Sequence, residues 1–130
     1  MIKFFKKNYK AITEYPDLWS VAQGTQHNKP IFVRIRNGLN EAVGHPEYPF
    51  QIGVAIPLLH STKDGLTVAD EAKDLDQIEE SLNEKIVRNG AGVFALVITT
   101  NGMREFVFYV KEWKPEFFEK EVKSIEARSH

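Results

Sequence analysis

Asn101-Gly102, inside the run TTNGMREFVFYV at residues 99–110, constrains the fold of this chain more than any other feature. Both central residues of a two-residue type I′ turn need positive φ, which asparagine and glycine tolerate best. Strand-like runs flank the pair, Val93 to Thr100 before it and Met103 to Lys111 after it. The dipeptide therefore predicts a β-hairpin and its register. Thr100 faces Met103, Ile98 faces Glu105, Leu96 faces Val107 and Phe94 faces Tyr109. The alternate pairs are Thr99 with Arg104, Val97 with Phe106 and Ala95 with Phe108. Both faces of the hairpin are then apolar, so each needs cover.

Upstream, Trp19 to Thr25 reads as a first strand, and His27-Asn28-Lys29 is polar enough to turn. Pro30 opens a second strand, Ile31 to Arg36, with Ile31, Val33 and Ile35 on one face and Phe32, Arg34 and Arg36 on the other. After a long Gly- and Pro-containing loop, Asn37 to Pro49, a third strand runs from Phe50 to Leu58. Its large face carries Phe50, Ile52, Val54, Ile56 and Leu58; its small face carries Gln51, Gly53, Ala55 and Pro57. A helix is predicted from about Val68 to Val87, capped by Thr67, with Ala72, Leu75, Ile78, Leu82 and Ile86 as its buried stripe. Its acidic residues, Asp70, Glu71, Asp74, Asp76, Glu79 and Glu80, read as a solvated face. Gly90 and Gly92 stop it, and a last helix from about Pro115 buries Phe118, Val122 and Ile125.

Strand, strand, strand, helix, strand, strand, helix contains a split β-α-β unit from the third strand onwards, the ferredoxin-like core without its last strand. The expected fold is α+β and two-layered, a five-stranded antiparallel sheet with both helices on one face. A right-handed crossover leaves room for the fifth strand between the third and fourth. With the second strand hairpinned onto the third, the expected order is first, second, third, fifth, fourth. Residues 1–130 form a single domain, with 1–16 as an amphipathic segment and 17–130 as the core. In that segment Ile2, Phe5, Tyr9 and Ile12 recur at helical spacing beside Lys3, Lys6, Lys7 and Lys10. This is read as a helix packed on the domain rather than one lying on a membrane.

Composition narrows the chemistry. A formal net charge of −1 supplies no general field for nucleic acid. Zero cysteines exclude disulfides, thiolate metal sites and cysteine nucleophiles, and fit a cytoplasmic protein. His27, His45, His60 and His130 lie far apart in loops or at the terminus, without the helical spacing that pairs metal ligands, and read as surface residues; His130 fits a tag remnant as well as a native residue. No serine has a nucleophile-elbow context, and Gly90-Ala91-Gly92 follows a helix where a phosphate loop would precede one. RNA-binding sheets carry a Lys/Arg-Gly-Phe/Tyr-Gly/Ala-Phe-Val-x-Phe/Tyr run on the equivalent strand. Arg104, Phe106 and Phe108 match three of its positions, but Glu105 and Val107 replace the small residues. Neither a metal, a cofactor nor a nucleic acid is expected.

TTNGMREFVFYV resembles the T-x-x-G-x-R-E-F-x-F-Y signature of an uncharacterised bacterial family, domain of unknown function 695. GLTVADEAKDLDQIEESLNEKI is similar to that family's helix pattern, with Thr67 where proline is usual, and YPFQIGVAIPL, Trp19, Pro30 and Arg34 also match. The resemblance covers about residues 19–111 and implies a fold but no activity or catalytic residues. More remotely, the family resembles a ferredoxin-like inhibitor of a ribonuclease E-type enzyme, which implies a regulatory binding module.

The expected function is accordingly non-catalytic: a small module that binds a protein partner, or a second copy of itself, through the open sheet face. The residues that would serve such a surface are Trp19, Arg34, Arg36, Glu105 and Tyr109. The competing expectation is an enzyme or small-anion binder that uses Arg34, Arg36, Glu105 and Tyr109, with arginine meeting a carboxylate or phosphate.

Overall fold

The computed structural model describes residues 8–63 and 65–129. Five strands form one sheet: β1 (Ser20–Gln26), β2 (Lys29–Ile35), β3 (Phe50–Pro57), β4 (Gly92–Thr100) and β5 (Met103–Val110). Two helices, α1 (Ala69–Leu82) and α2 (Pro115–Ser129), accompany it. Every neighbouring pair of strands is antiparallel, so the fold is α+β as expected.

The strand order is β1-β2-β4-β5-β3, which corrects the expected placement of β3. β5 does sit between β3 and β4, as expected of the split β-α-β unit. But β2 pairs with β4, so β3 lies on the far edge. The physical reason is the 36–49 connection. It is no hairpin turn but a crossing segment with a 3-10 helix, Asn37–Ala42, that spans one end of the sheet.

The two turns explain the local pairing. Asn101 (φ 50°) and Gly102 (φ 75°) make the predicted type I′ turn, and His27 (φ 51°) and Asn28 (φ 65°) make a second one between β1 and β2. The predicted β4–β5 register holds from Thr100–Met103 to Leu96–Val107. It then breaks: a β-bulge between Phe94 and Leu96 pairs Phe94 with Phe108 and Val93 with Tyr109. The extra residue, Ala95, moves Phe94 to the opposite face from the one that strict alternation assigns. There Phe94 stacks on Phe108 with ring centroids 4.9 Å apart and meets Trp19 at 5.1 Å.

Phe106 and Phe108 point to the helices and are fully buried, each contributing roughly 1.5–3 kcal/mol through burial alone. They meet the stripe Leu75, Ile78, Leu82 and Ile86, then Phe118 and Ile125 from α2, with Val54 and Ile56 closing the layer from β3. α1 ends sooner than the apolar spacing suggests. Asn83–Val87 is a π-turn that still delivers Ile86 to the core. Thr67 is not the cap: Val68 takes that position without a side-chain bond, and Thr67 Oγ1 accepts from Arg104 Nη2 at 3.0 Å. Most of the expected N-terminal helix, Met1 to Lys7, lies outside the described residues; Asn8 to Ala11 carries no helix.

Candidate interaction surface

Cross-strand pairing assigns each side chain to a face, since directly opposed residues share one. The face away from the helices receives Ile31, Val33 and Ile35 from β2 and Leu96 and Ile98 from β4. From β5 it receives Met103, Glu105 and Val107, and from β3 Gly53 and Ala55.

One end of this face is covered. The 37–48 segment, with Ile12, lies over Val93 and Leu96 and leaves a cavity of about 210 Å³ that opens beside the exposed Ile35. A buried histidine holds the cover together. His45 Nε2 meets Lys10 O at 2.9 Å, while its Nδ1 accepts from Glu47 N–H at 3.2 Å, which puts the ring proton on Nε2. Around the ring stand Tyr9, Tyr48 and Tyr15, with centroids 5.1, 5.5 and 6.3 Å away. His45 is thus not the surface residue expected; a position in an irregular loop carries no periodicity from which burial can be read.

Arg36 belongs to the same clasp. Its Nη2 donates to Tyr15 O at 3.1 Å, its Nε reaches Pro16 O at 3.4 Å, and Asp17 lies 3.5 Å away. Tyr109, also on the cavity wall, donates its hydroxyl to Gln51 Oε1 at 3.3 Å.

Away from the clasp, Glu105 lies back over β3. A Cβ added to Gly53 would sit 2.5 Å from Glu105 Oε2, so the missing side chain is what gives the carboxylate its place. Glu105 is half-buried, and among the described residues no hydrogen bond or ion pair reaches it. Met103 and Ile35 are exposed at the two ends of this face, with Ile31, Val33 and Ile98 half-buried between them.

Arg34 and Trp19 are on the other face. Strand pairing sets Arg34 opposite Val97, under the helices, where its guanidinium grips both Glu79 carboxylate oxygens and lies 5.3 Å from the Trp19 ring centroid. Trp19 Nε1 donates to Asp17 at 2.7 Å. The five residues singled out in the sequence therefore divide: Trp19 with Arg34 beneath the helices, Arg36 with Tyr109 at the clasp, and Glu105 on the uncovered sheet.

The acidic face of α1 also differs from its reading. Glu79 pairs with Arg34, and Glu71 is buried, accepting N–H bonds from Leu59 at 2.7 Å and His60 at 2.8 Å. Beside Arg34, Arg104 donates to Thr99 and Thr67 hydroxyls, each at 3.0 Å. Burial holds the Arg104 guanidinium below the ordinary arginine range, and Arg34 pushes the same way against Glu79, Asp76 and Glu71. Two cations, Arg34 and Arg104, thus meet two carboxylates, Asp76 and Glu79, along this groove. Among the described residues no group of three or more His, Cys, Asp or Glu is placed to hold a metal ion. None of their helices is long and apolar enough to cross a membrane.

Residues 17–129 match the model of a family of unknown function, DUF695. The chain belongs to that family. The match spans every strand and both helices of the DUF695 fold described above. No curated protein and no solved structure matches the chain.

Proposed function

We propose that this DUF695 chain is a non-catalytic protein-interaction module that docks a partner on the uncovered part of its open sheet face. The observation that carries this reading is the unpartnered Glu105 carboxylate on a surface formed by Ile31, Val33, Ile98 and Met103. Apolar side chains around one charge match the anatomy of a docking patch, in which an apolar centre supplies affinity and a charge supplies selectivity. The partner group that fits is a lysine, an arginine or a run of backbone N–H donors flanked by apolar side chains. The remote resemblance to a ribonuclease inhibitor family points the same way. The flat aromatic run of β5 offers nothing comparable to nucleic acid, because Phe106 and Phe108 are buried under the helices and present no ring to a base.

The test is site-specific photo-crosslinking in living cells from Val33 and Ile98, with Lys123 on the exposed side of α2 as the comparison position. The expected result is one defined protein adduct from both sheet positions, absent from position 123. Glu105→Lys should weaken binding of the purified adduct partner at least tenfold. Adducts that are the same from all three positions, or binding unchanged by Glu105→Lys, would sink the reading.

A further inference from the structure

The sheet has two edge strands, β1 and β3, and only one of them carries a guard against pairing with another chain. In β3 the groups facing outwards follow from the hairpin. Thr100 and Met103 close the Asn101-Gly102 turn as a hydrogen-bonded pair, so alternation directs Arg104, Phe106 and Phe108 towards β3 and leaves Gln51, Gly53 and Ala55 facing out. Two copies paired through this edge would bring Gly53 opposite Gly53. The Glu105 carboxylates lie over those glycines, so they would meet about 5.5 Å apart, the spacing of opposed Cα atoms in a bonded pair. A like-charge encounter at that distance opposes pairing. An inward-lying charge of this kind is one of the devices that keep sheet edges single.

β1 has no such device. Its sequence, SVAQGTQ, contains no charge, no proline and no bulge, and all seven residues are exposed. Gln26 and Lys29 close the second type I′ turn, so Gln26, Gly24, Ala22 and Ser20 bond to β2 while Val21, Gln23 and Thr25 turn their N–H and C=O groups outwards. The acceptor geometry of Pro30 supports this phase: its carbonyl points away from β1 and takes the Thr100 hydroxyl at 2.7 Å. An unprotected regular edge is a template for strand addition.

We infer that β1 is a self-association edge, and that its occupant is β1 of a second copy, antiparallel about a two-fold axis at Gln23. In that register Gln23 faces Gln23 and Val21 faces Thr25, so every outward group of the three residues finds a partner. No charge lies on either β1, and the two Arg34 side chains stand one strand further in on each side. Three strand spacings across the sheet and four residues along it put them about 20 Å apart, beyond the Debye length in physiological salt, and each is already paired with Glu79. Val21, 71% exposed in the single chain, gains cover from Thr25 of the second copy. The two five-stranded sheets would join into one of ten. Strand addition alone buries little area, so the dimer is a weak one that forms as concentration rises. This edge is separate from the open face, and the inference stands whether or not that face docks a partner.

Sedimentation equilibrium of the full chain over a hundredfold concentration range should show a monomer–dimer equilibrium. Gln23→Lys places two lysines face to face on the axis and should shift the dissociation constant upwards at least tenfold, while Gln51→Lys on the β3 edge should leave it unchanged. Amide hydrogen exchange in the unmodified chain provides a second readout. The Val21, Gln23 and Thr25 amides should slow as concentration rises, and those of Gln51, Gly53 and Ala55 should not. A monomer at every concentration overturns the inference. So does a dimer that survives Gln23→Lys, or protection of the three β1 amides that is already complete at the lowest concentration.

Discussion

Gly53 and Glu105 form the most informative residue pair in the molecule. A glycine inside a strand ordinarily costs roughly 0.5–1 kcal/mol relative to alanine. Here the gap it leaves is filled by the Glu105 carboxylate, so the usual gain from Gly→Ala should appear only once that carboxylate is gone. Gly53→Ala is expected to leave the melting temperature unchanged or lower it in the natural sequence, and to raise it in a Glu105→Ala background. Thermal unfolding of the four members of the cycle, at low concentration, checks this; the same sign in both backgrounds would show that Glu105 does not depend on the gap. Glu105 is plain in the sequence as a charge on an apolar strand. Its position over Gly53 is not, because that contact needs β5 to neighbour β3, which local alternation does not specify.

At the scale of elements, the tip of the β4–β5 hairpin is clamped from two sides. Gly102 accepts from Leu58 N–H at 2.9 Å and donates to Gly65 O at 2.8 Å. Gly65 has φ +82°, and a Cβ there would lie 2.6 Å from Gly102 N. Both the backbone sign and the close approach oppose a side chain. Gly65→Ala should therefore cost about 1–3 kcal/mol, read as a lower melting temperature, with the β4–β5 amides nearest the turn exchanging faster. An unchanged melting temperature would show that the clamp is not tight. The hairpin's register is legible from Asn101-Gly102 because turn length sets pairing outwards from the turn. The bulge at Ala95 is not, since FALV alternates equally well with or without an extra residue and only the packing of Phe94 on Phe108 and Trp19 decides it. Strand alternation likewise puts Arg34 on the Phe32 face, but its pairing with Glu79 depends on α1 packing over that face, which alternation does not specify.

For the whole molecule, the contrast between the two edges sets what kind of assembly is available. With one open edge a chain can form a closed pair; with two it can continue head to tail. Glu105→Ala removes the guard from β3 while leaving β1 as it is. At high concentration this variant is expected to pass beyond the dimer to larger species, which light scattering measures directly. Glu105→Ala combined with Gln23→Lys should return it to small species. If Glu105→Ala stays as small as the natural chain, the carboxylate is not what keeps β3 single.

The strand order also bears on how the chain is made. β2 and β3 precede their partners β4 and β5 in the sequence, and the Ile31–Thr100 and Phe50–Val110 pairs each span about half of its length. During synthesis from the N-terminus, the β1–β2 hairpin can close early, but FQIGVAIP has no strand to join until β5 has left the ribosome. For that interval an apolar, uncharged strand is exposed in a nascent chain, and the carboxylate that later shields it has not yet been translated. The period of greatest aggregation risk for this protein therefore ends when residue Val110 emerges.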